Sequence, residues 1–345
     1  MRRTRERRRG ETRRQLRTAA NDLNPIDLFT RWKAILPRRE PRDLIAPSEP
    51  AGDLVREDLG SAGTPTADVA PVEDEYSHGL EVSLVLPVRD GEAFIAASLA
   101  EVGRTLDALA RPYELIVVSD GSRDRTVEAA EKLAHPAVRV FHYPQHQGKG
   151  FAISLGLAQA RGRLVGWLDS DLDIRPEFVT RAVAEFDRGG ADAVIGSKRH
   201  PDSEVAYPRI RRVYSWGFQM LVRALFRLDV RDTQVGAKLF RREMVDTVLP
   251  LLLIKRYAFD VEVLAVGGTF GFDRVRELPV RLDYRFTGSG INTPEVRHML
   301  VDTLAIAYRI HLRRWYARRF AAAQRERAER SAHESAQERV RAARR

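Results

Sequence analysis

From residue 80 onward, short apolar runs alternate with segments of helical periodicity, and this alternation limits the chain to few folds. Glu81–Val88 is apolar and β-branched, Glu92–Ala110 is helical in pattern, and Tyr113–Ser119 is again a strand. Arg123–Ala134 then reads as a helix, Ala137–Tyr143 as a strand, Gly150–Ala160 as a helix and Leu164–Leu168 as a strand. Pro176–Asp187 follows as a helix and Ala191–Gly196 as a fifth strand. Near-continuous apolar strands joined by helices predict an α/β fold, with a mostly parallel sheet covered on both faces. Such sheets bind ligands beyond the carboxyl ends of their strands. Chemistry is therefore expected in five loops.

Those loops carry polar or charged residues, some with glycines. They read Pro87-Val88-Arg89-Asp90-Gly91-Glu92, Ser119-Asp120-Gly121-Ser122, Gln145-His146-Gln147-Gly148-Lys149-Gly150, Asp169-Ser170-Asp171-Leu172-Asp173 and Gly196-Ser197-Lys198-Arg199. Asp120-Gly121-Ser122 also fits a plain turn with a helix cap, and Gly148-Lys149-Gly150 fits an ordinary loop. No GxGxxG follows the first strand, and Gly150 stands where a P-loop needs Ser or Thr. The three aspartates are harder to read as a solvated turn. Like charges this close repel unless a cation joins them, and hard oxygen ligands suit Mg²⁺ or Mn²⁺ completed by water and phosphate.

Composition narrows the function. The chain has 58 Lys and Arg against 48 Asp and Glu, and no cysteine. Disulfides and cysteine-based zinc sites are excluded. Residues 1–20 hold nine Arg and two Glu, and residues 312–345 hold eleven Arg and four Glu, so the rest is mildly acidic. A nucleic-acid-binding body would carry its basic patch on the fold itself, so no nucleic-acid partner is expected. Residues 1–79 read as an Arg-rich and then Pro/acidic disordered extension, with one amphipathic stretch, Ile26–Leu36, that fits a docking helix or an interfacial anchor. Residues 80–311 read as the catalytic body and 312–345 as a basic, helical tail. No apolar run approaches the ~18 residues of a spanning helix, and no secretory signal is recognisable. The expectation is a cytoplasmic protein, peripheral on the membrane. Its oligomeric state stays open.

The stretches VSLVLPVRDGEAF, YELIVVSDGSRDRT and GKGFAISLGLAQARGRLVGWLDSDLD together resemble the inverting family 2 glycosyltransferases of GT-A fold. Asp-x-Asp alone is weak, and specificity comes from the order and spacing of the set. DAVIGSKRH, DTQVGAKLF, RYAFDVEVL and ELPVRLDYRFTGSGIN look like the dolichyl-phosphate β-glucosyltransferase and dolichol-phosphate mannose synthase subgroup. The resemblance spans about residues 81–310. It implies that Pro87 and Glu92 border the nucleotide, that Asp120 contacts the base and that Lys149 lies near the diphosphate. Asp169 would contact the nucleotide sugar and Asp171 would bind the metal. Asp173, where mannose synthases often have Gln, would be a third ligand or a departure from the pattern. Gln234 and Asp260 would lie near donor sugar and acceptor. Lys198 or Arg199, one of Arg209, Arg211 and Arg212, and Arg285 would hold the acceptor phosphate. Ser289 falls where relatives read GSK, but Gly290 follows it. Arg209–Arg212 also fits a solvated helix start, and Asp260 with Glu262 fits one polar helix face.

The implied reaction transfers one hexose from a nucleotide sugar to polyprenyl phosphate. UDP-glucose is favoured as donor and GDP-mannose is the alternative. A soluble acceptor, or a non-catalytic binding protein on this fold, are the further readings. A phosphate monoester acceptor has a second pKa of about 6 and is already ionised near neutral pH, so no strong base is needed. Residues 253–257 lack the QxxRW of processive synthases, which favours a single transfer. Residues 294–320 have helical spacing at Val296, Met299, Leu300, Thr303, Leu304, Ala307 and Ile310. Five Arg between 309 and 319 interleave with Trp315, Tyr316 and Phe320. That pattern fits packing on the body, an anionic membrane interface, or both.

Overall fold

The computed structural model describes residues 79–133, 135–205, 209–282, 293–326 and 329; the side chains of 209–215 and 293–294 lie outside the description. The expected 1–79 extension, apart from Gly79, the Ile26–Leu36 helix and the end of the tail lie outside the described residues.

The chain runs β1 (Val82–Val88), α1 (Ile95–Asp107), β2 (Tyr113–Asp120), α2 (Thr126–Glu131), β3 (Val138–Tyr143), α3 (Lys149–Gln159), β4 (Leu164–Leu168), α4 (Glu177–Asp187) and β5 (Ala193–Ser197). It continues with α5 (Arg209–Phe226), β6 (Ala237–Arg241), α6 (Arg242–Val248), α7 (Phe259–Thr269), β7 (Val275–Pro279) and α8 (Thr293–Ala307), which ends in a π turn, Tyr308–Leu312. A last helical stretch covers residues 315–326. Each strand and helix expected between 81 and 196 is present, with ends moved by up to three residues.

The seven strands form one sheet in the order β3-β2-β1-β4-β6-β5-β7. β1 pairs in parallel with β2 (Leu84 opposite Leu115) and with β4 (Leu84 opposite Gly166). The uninterrupted parallel run stops there. β6 lies between β4 and β5, antiparallel to both. It was not legible as a strand because its buried face carries a lysine: Lys238 is 0% exposed. Gly166 sits opposite Leu239, and a Cβ on it would collide with the carbonyl of Lys238. The glycine in this apolar strand thus lets β6 pack against β4.

Side chains alternate across the sheet. Leu84, Leu86 and Leu115 pack with α1 and α4 on one face, while Val85, Ile116 and Trp167 pack with α3, α6 and α7 on the other. Trp167 is fully buried, with Phe240 and Phe259 rings 5.2 and 5.7 Å from its own.

The second core does not end at the expected body edge, residue 311. Tyr316 is 1% exposed, and Trp315 and Phe320 pack on the same cluster. These aromatics therefore pack on the body, one of the readings that their spacing left open. Glu262 explains the inward turn of Tyr316. It is 0% exposed and accepts hydrogen bonds from Tyr316 Oη (2.5 Å), Leu253 N (3.0 Å) and Ile254 N (2.8 Å). Burial pushes its carboxyl up despite these three bonds. A buried carboxylate is costly unless its oxygens are satisfied, so Tyr316 ties the last helix to α7. Tyr316→Ala is expected to lower unfolding free energy by about 3–5 kcal/mol. An unchanged denaturation midpoint would mean that the segment does not contribute to the body.

Candidate active site at the carboxyl edge of the sheet

The loops after β1 and β2 interlock. Asp90, at φ 51°, accepts from Arg123 N (2.8 Å) and donates its own N–H to Ser122 Oγ (3.0 Å). Gly91 N donates to Thr126 Oγ1 and Glu92 N to Asp124 Oδ2. The Glu92 carboxylate is held by Arg125, with Nη2 at 2.6 Å, which lowers its pKa. Two loops that each lack regular structure thus become one rigid rim. Pro87 lies at its inner end, and its carbonyl accepts from Ser170 Oγ at 2.8 Å, joining the β1 end to the aspartate loop.

Asp120 organises the third loop. It is nearly buried and accepts from Tyr143 Oη (2.9 Å), Gln147 N (2.7 Å) and Gly148 N (3.1 Å), with His146 Nδ1 at 2.8 Å. Gly148 has φ 109°, and a Cβ there would strike the carbonyl of Lys255. Lys149 opens α3 directly after this turn. The anchoring carboxylate, the glycine and the helix start together aim Lys149 at the next strand end.

There it meets Asp169: Nζ and Oδ1 are 2.5 Å apart. Burial pulls the Lys149 ammonium down, but Asp169, Asp260 and Asp171 outweigh it and raise its pKa, so it stays charged. Asp169 N donates to Gly236 O (2.8 Å), and a Cβ at Gly236 would overlap the Asp169 carboxylate. Leu172 is buried at φ 51°, a region that disfavours bulky side chains. It reverses the chain between Asp171 and Asp173, and Asp173 N donates to Asp171 Oδ1 at 3.2 Å. Burial, then Asp169 and Asp173, push the Asp171 carboxyl up to about 6.

This is a local excess of negative charge that one lysine does not cancel. It fits a divalent cation. Among the described residues no three Asp, Glu or His groups gather around one point, so the expected trio Asp169, Asp171 and Asp173 is not a preformed ligand set. Asp169 is turned to Lys149. The donor set suits an ion that takes one or two carboxylate oxygens here and the rest from water or phosphate.

The segment before β6 closes the site. Gln234 Nε2 is buried without a hydrogen-bond partner, while its N–H donates to Asp232 Oδ1 (3.1 Å). Asp232 Oδ2 accepts from Lys198 N at 3.1 Å, bringing Lys198 and Arg199 to the same edge. Asp260 is 5% exposed and paired with Lys238, whose ammonium also donates to Val235 O and lies 5.3 Å from the Trp167 ring centre. Desolvation lowers the Lys238 pKa. Asp260 therefore supports the site from behind, through Lys238 and the Val235–Gly236 turn. Lys238 and Gly236 were not singled out from sequence; the only signal is their place in VGAK, one strand length before RREM. Arg209, Arg211 and Arg212 lie in the first turn of α5, with side chains outside the description. Arg285 and Ser289 lie outside the described residues.

Two outcomes check this geometry. Gly236→Ala must displace the Asp169 carboxylate, and a displacement of about 1 Å costs on the order of 10²-fold in rate. Unfolding should shift by only about 1–3 kcal/mol; full activity would contradict the packing. Second, a carboxyl raised from 3.8 to about 6 binds more protons folded than unfolded. Without divalent cations, stability should then fall as pH rises from about 4 to 7. Because Asp171 is only half-buried, Asp171→Asn should recover about 1–2 kcal/mol at pH 8 in urea melts. A less stable variant would contradict the charge excess.

Residues 83–249 match the family described as Glycosyl transferase family 2. The dolichyl-phosphate beta-glucosyltransferase of Drosophila melanogaster is 34% identical over 208 residues, covering 55% of this chain and 63% of that protein. Glycosyltransferase AglD of Haloferax volcanii is 34% identical over 206 residues, 59% of this chain and 33% of that one. The chain thus spans about one third to three fifths of the length of these relatives. Among solved structures, glucosyl-3-phosphoglycerate synthase from Mycobacterium tuberculosis, in complex with Mn²⁺, uridine-diphosphate-glucose and phosphoglyceric acid, superposes with a TM-score of 0.54 at 22% identity. That match covers 67% of this chain and 81% of the synthase, and it supports the GT-A architecture. With the strand-end loops inside the matched segment, residues 83–249 form a glycosyl transferase family 2 domain.

Proposed function

We propose that this protein transfers one hexose, glucose from UDP-glucose, to a polyprenyl or dolichyl phosphate with inversion. The observation that carries the reading is the Lys149–Asp169 pair beside the raised carboxyl of Asp171, at the sheet edge where ligands bind. A cation and a diphosphate together would relieve that arrangement. The relatives' names, dolichyl-phosphate beta-glucosyltransferase, support the sugar and the lipid.

Asp171 is the residue that would hold Mg²⁺ or Mn²⁺, with Asp173 adjacent; when bound, the ion supplies charge stabilisation to the departing diphosphate. Lys149 provides a second positive charge for the same leaving group. Freed from Lys149, the Asp169 carboxylate accepts hydrogen bonds from sugar hydroxyls. The unpartnered Gln234 amide offers a donor on the other side. Pro87, Glu92 and the loop held by Asp120 border the nucleotide. The acceptor phosphate oxygen attacks the anomeric carbon from the face opposite the diphosphate. One carbon–oxygen bond forms as the other breaks, and nucleoside diphosphate leaves. The acceptor arrives ionised, so Asp260 need not act as a base, and its pairing with Lys238 is consistent with that. Lys198, Arg199, one of Arg209, Arg211 and Arg212, and Arg285 beside Ser289 are proposed to hold the acceptor phosphate. The basic ends of the chain are proposed to add attraction to an anionic membrane.

The test is transfer of radiolabel from UDP-glucose to short-chain polyprenyl phosphate with Mn²⁺ or Mg²⁺. Label in the organic phase is the expected result. Transfer only from GDP-mannose would change the donor, transfer only to phosphoglycerate or another soluble acceptor would overturn the lipid, and no transfer to any acceptor would favour a binding protein. Lys149→Met should lower kcat about 10²–10³-fold with folding retained. A near-normal kcat would remove Lys149 from the diphosphate.

A further inference from the structure

Helix α8 carries two apolar faces. Thr303, Ile306 and Ala307 are buried against the body, as a surface helix requires. A second stripe points outward: Val301 is 58% exposed, Leu304 52%, Tyr308 44% and Leu312 72%. Their spacing of three, four and four residues keeps them on one side through the π turn. The neighbouring helix α5 adds Trp216, 62% exposed, and Met220 one turn later. The two helices touch, with His311 Nε2 2.6 Å from Leu225 O and stacked on Phe226. So much exposed large apolar surface on adjacent helices marks an interaction site.

We propose that this α5–α8 face docks the protein on an anionic lipid bilayer. Charge decides between a bilayer and a second copy of the chain. Arg227, Arg297, Arg313 and Arg314, on or directly after these helices, are all exposed, and Arg223 is exposed but paired with Asp229. A twofold contact would set this positive surface against itself, whereas anionic headgroups neutralise it. The carboxylates of α8, Glu295 and Asp302, are half-buried and lie within the fields of Tyr257 and Arg256, away from full exposure. A Trp and a Tyr among aliphatic residues suit the headgroup boundary. No described helix is long and apolar enough to cross a membrane, so contact through these helices lies along the surface.

The face also begins beside the site. Tyr257 lies within electrostatic reach of Glu295, at the start of α8, and of Lys149 and Asp169. A bilayer held here brings lipid headgroups to the edge where the transfer is proposed to occur. The docking does not depend on the basic chain ends or on the transferase reading.

The test is co-flotation of the full chain with vesicles of phosphatidylcholine containing roughly one third phosphatidylglycerol, without donor or acceptor. The wild type should float, and salt should weaken the binding. The double variant Leu304→Glu, Leu312→Glu changes two exposed positions and should keep the wild-type melting temperature. It is expected to lose tenfold or more in vesicle partitioning, while transfer to a short-chain acceptor in vesicle-free solution is unchanged. A wild type that stays with the soluble fraction overturns the proposal, as does a variant that floats equally well. So does a wild-type dimer that the variant converts to monomer without vesicle binding, which assigns the face to a second copy. Failure of flotation with transfer intact removes the docking face alone; flotation without transfer removes the transferase reading alone.

Discussion

The charge at the end of β4 is the constraint around which the rest of the sheet edge is arranged. Three aspartates fall within five residues, and one of them, Asp169, is already paired with Lys149. Each neighbouring feature serves that pair. Asp120 gathers the loop that launches Lys149, Gly236 leaves room for the Asp169 carboxylate, and Ser170 fastens the loop to Pro87. Leu172 takes a left-handed backbone conformation in the same turn. Strain of this kind persists where the surroundings over-determine it, and it collects at functional sites.

A second charge pair, Lys238 with Asp260, lies in the core behind the first. Burying it costs desolvation that apolar residues would avoid. What it provides is position: Lys238 bonds to Asp260 on α7 and to the Val235 carbonyl just before β6, against the Trp167 ring. The turn bearing Gln234 and Gly236 is thereby fixed from below. Glu262, two residues after Asp260, does the same for the last helix through Tyr316. One helix, α7, therefore uses its two buried acids to hold both the site and the C-terminal segment.

The parallel half of the sheet was legible because its strands are mostly apolar and end in polar loops, several with glycine. β6 was not, since a buried lysine breaks its apolar pattern, and the pairing with Asp260 and the bond to the Val235 carbonyl that make it tolerable come from the fold. The aspartate cluster could be read from residue type and spacing, while Lys149 and Gln234 came only through the resemblance to family 2 glycosyltransferases. That Asp120 would spend its carboxylate on the loop after β3 could not, because Tyr143 and Gly148 reach it through the fold. The spacing of the aromatic residues at 315–320 fitted packing on the body and a membrane face alike. Glu262 explains why Tyr316 turns inward, leaving Leu304 and Leu312 outside.

The most direct measurement of the central claim is calorimetric titration of UDP-glucose, whose diphosphate has no terminal monoester to titrate near pH 6, in buffers of different ionisation heat at pH 6, with and without Mn²⁺. If the carboxylates at the end of β4 are poised for a cation and a diphosphate, UDP-glucose binds tightly only with Mn²⁺. Binding then releases roughly half a proton as Asp171, raised to about 6, becomes fully ionised. Equal affinity without Mn²⁺ and no proton release would contradict it.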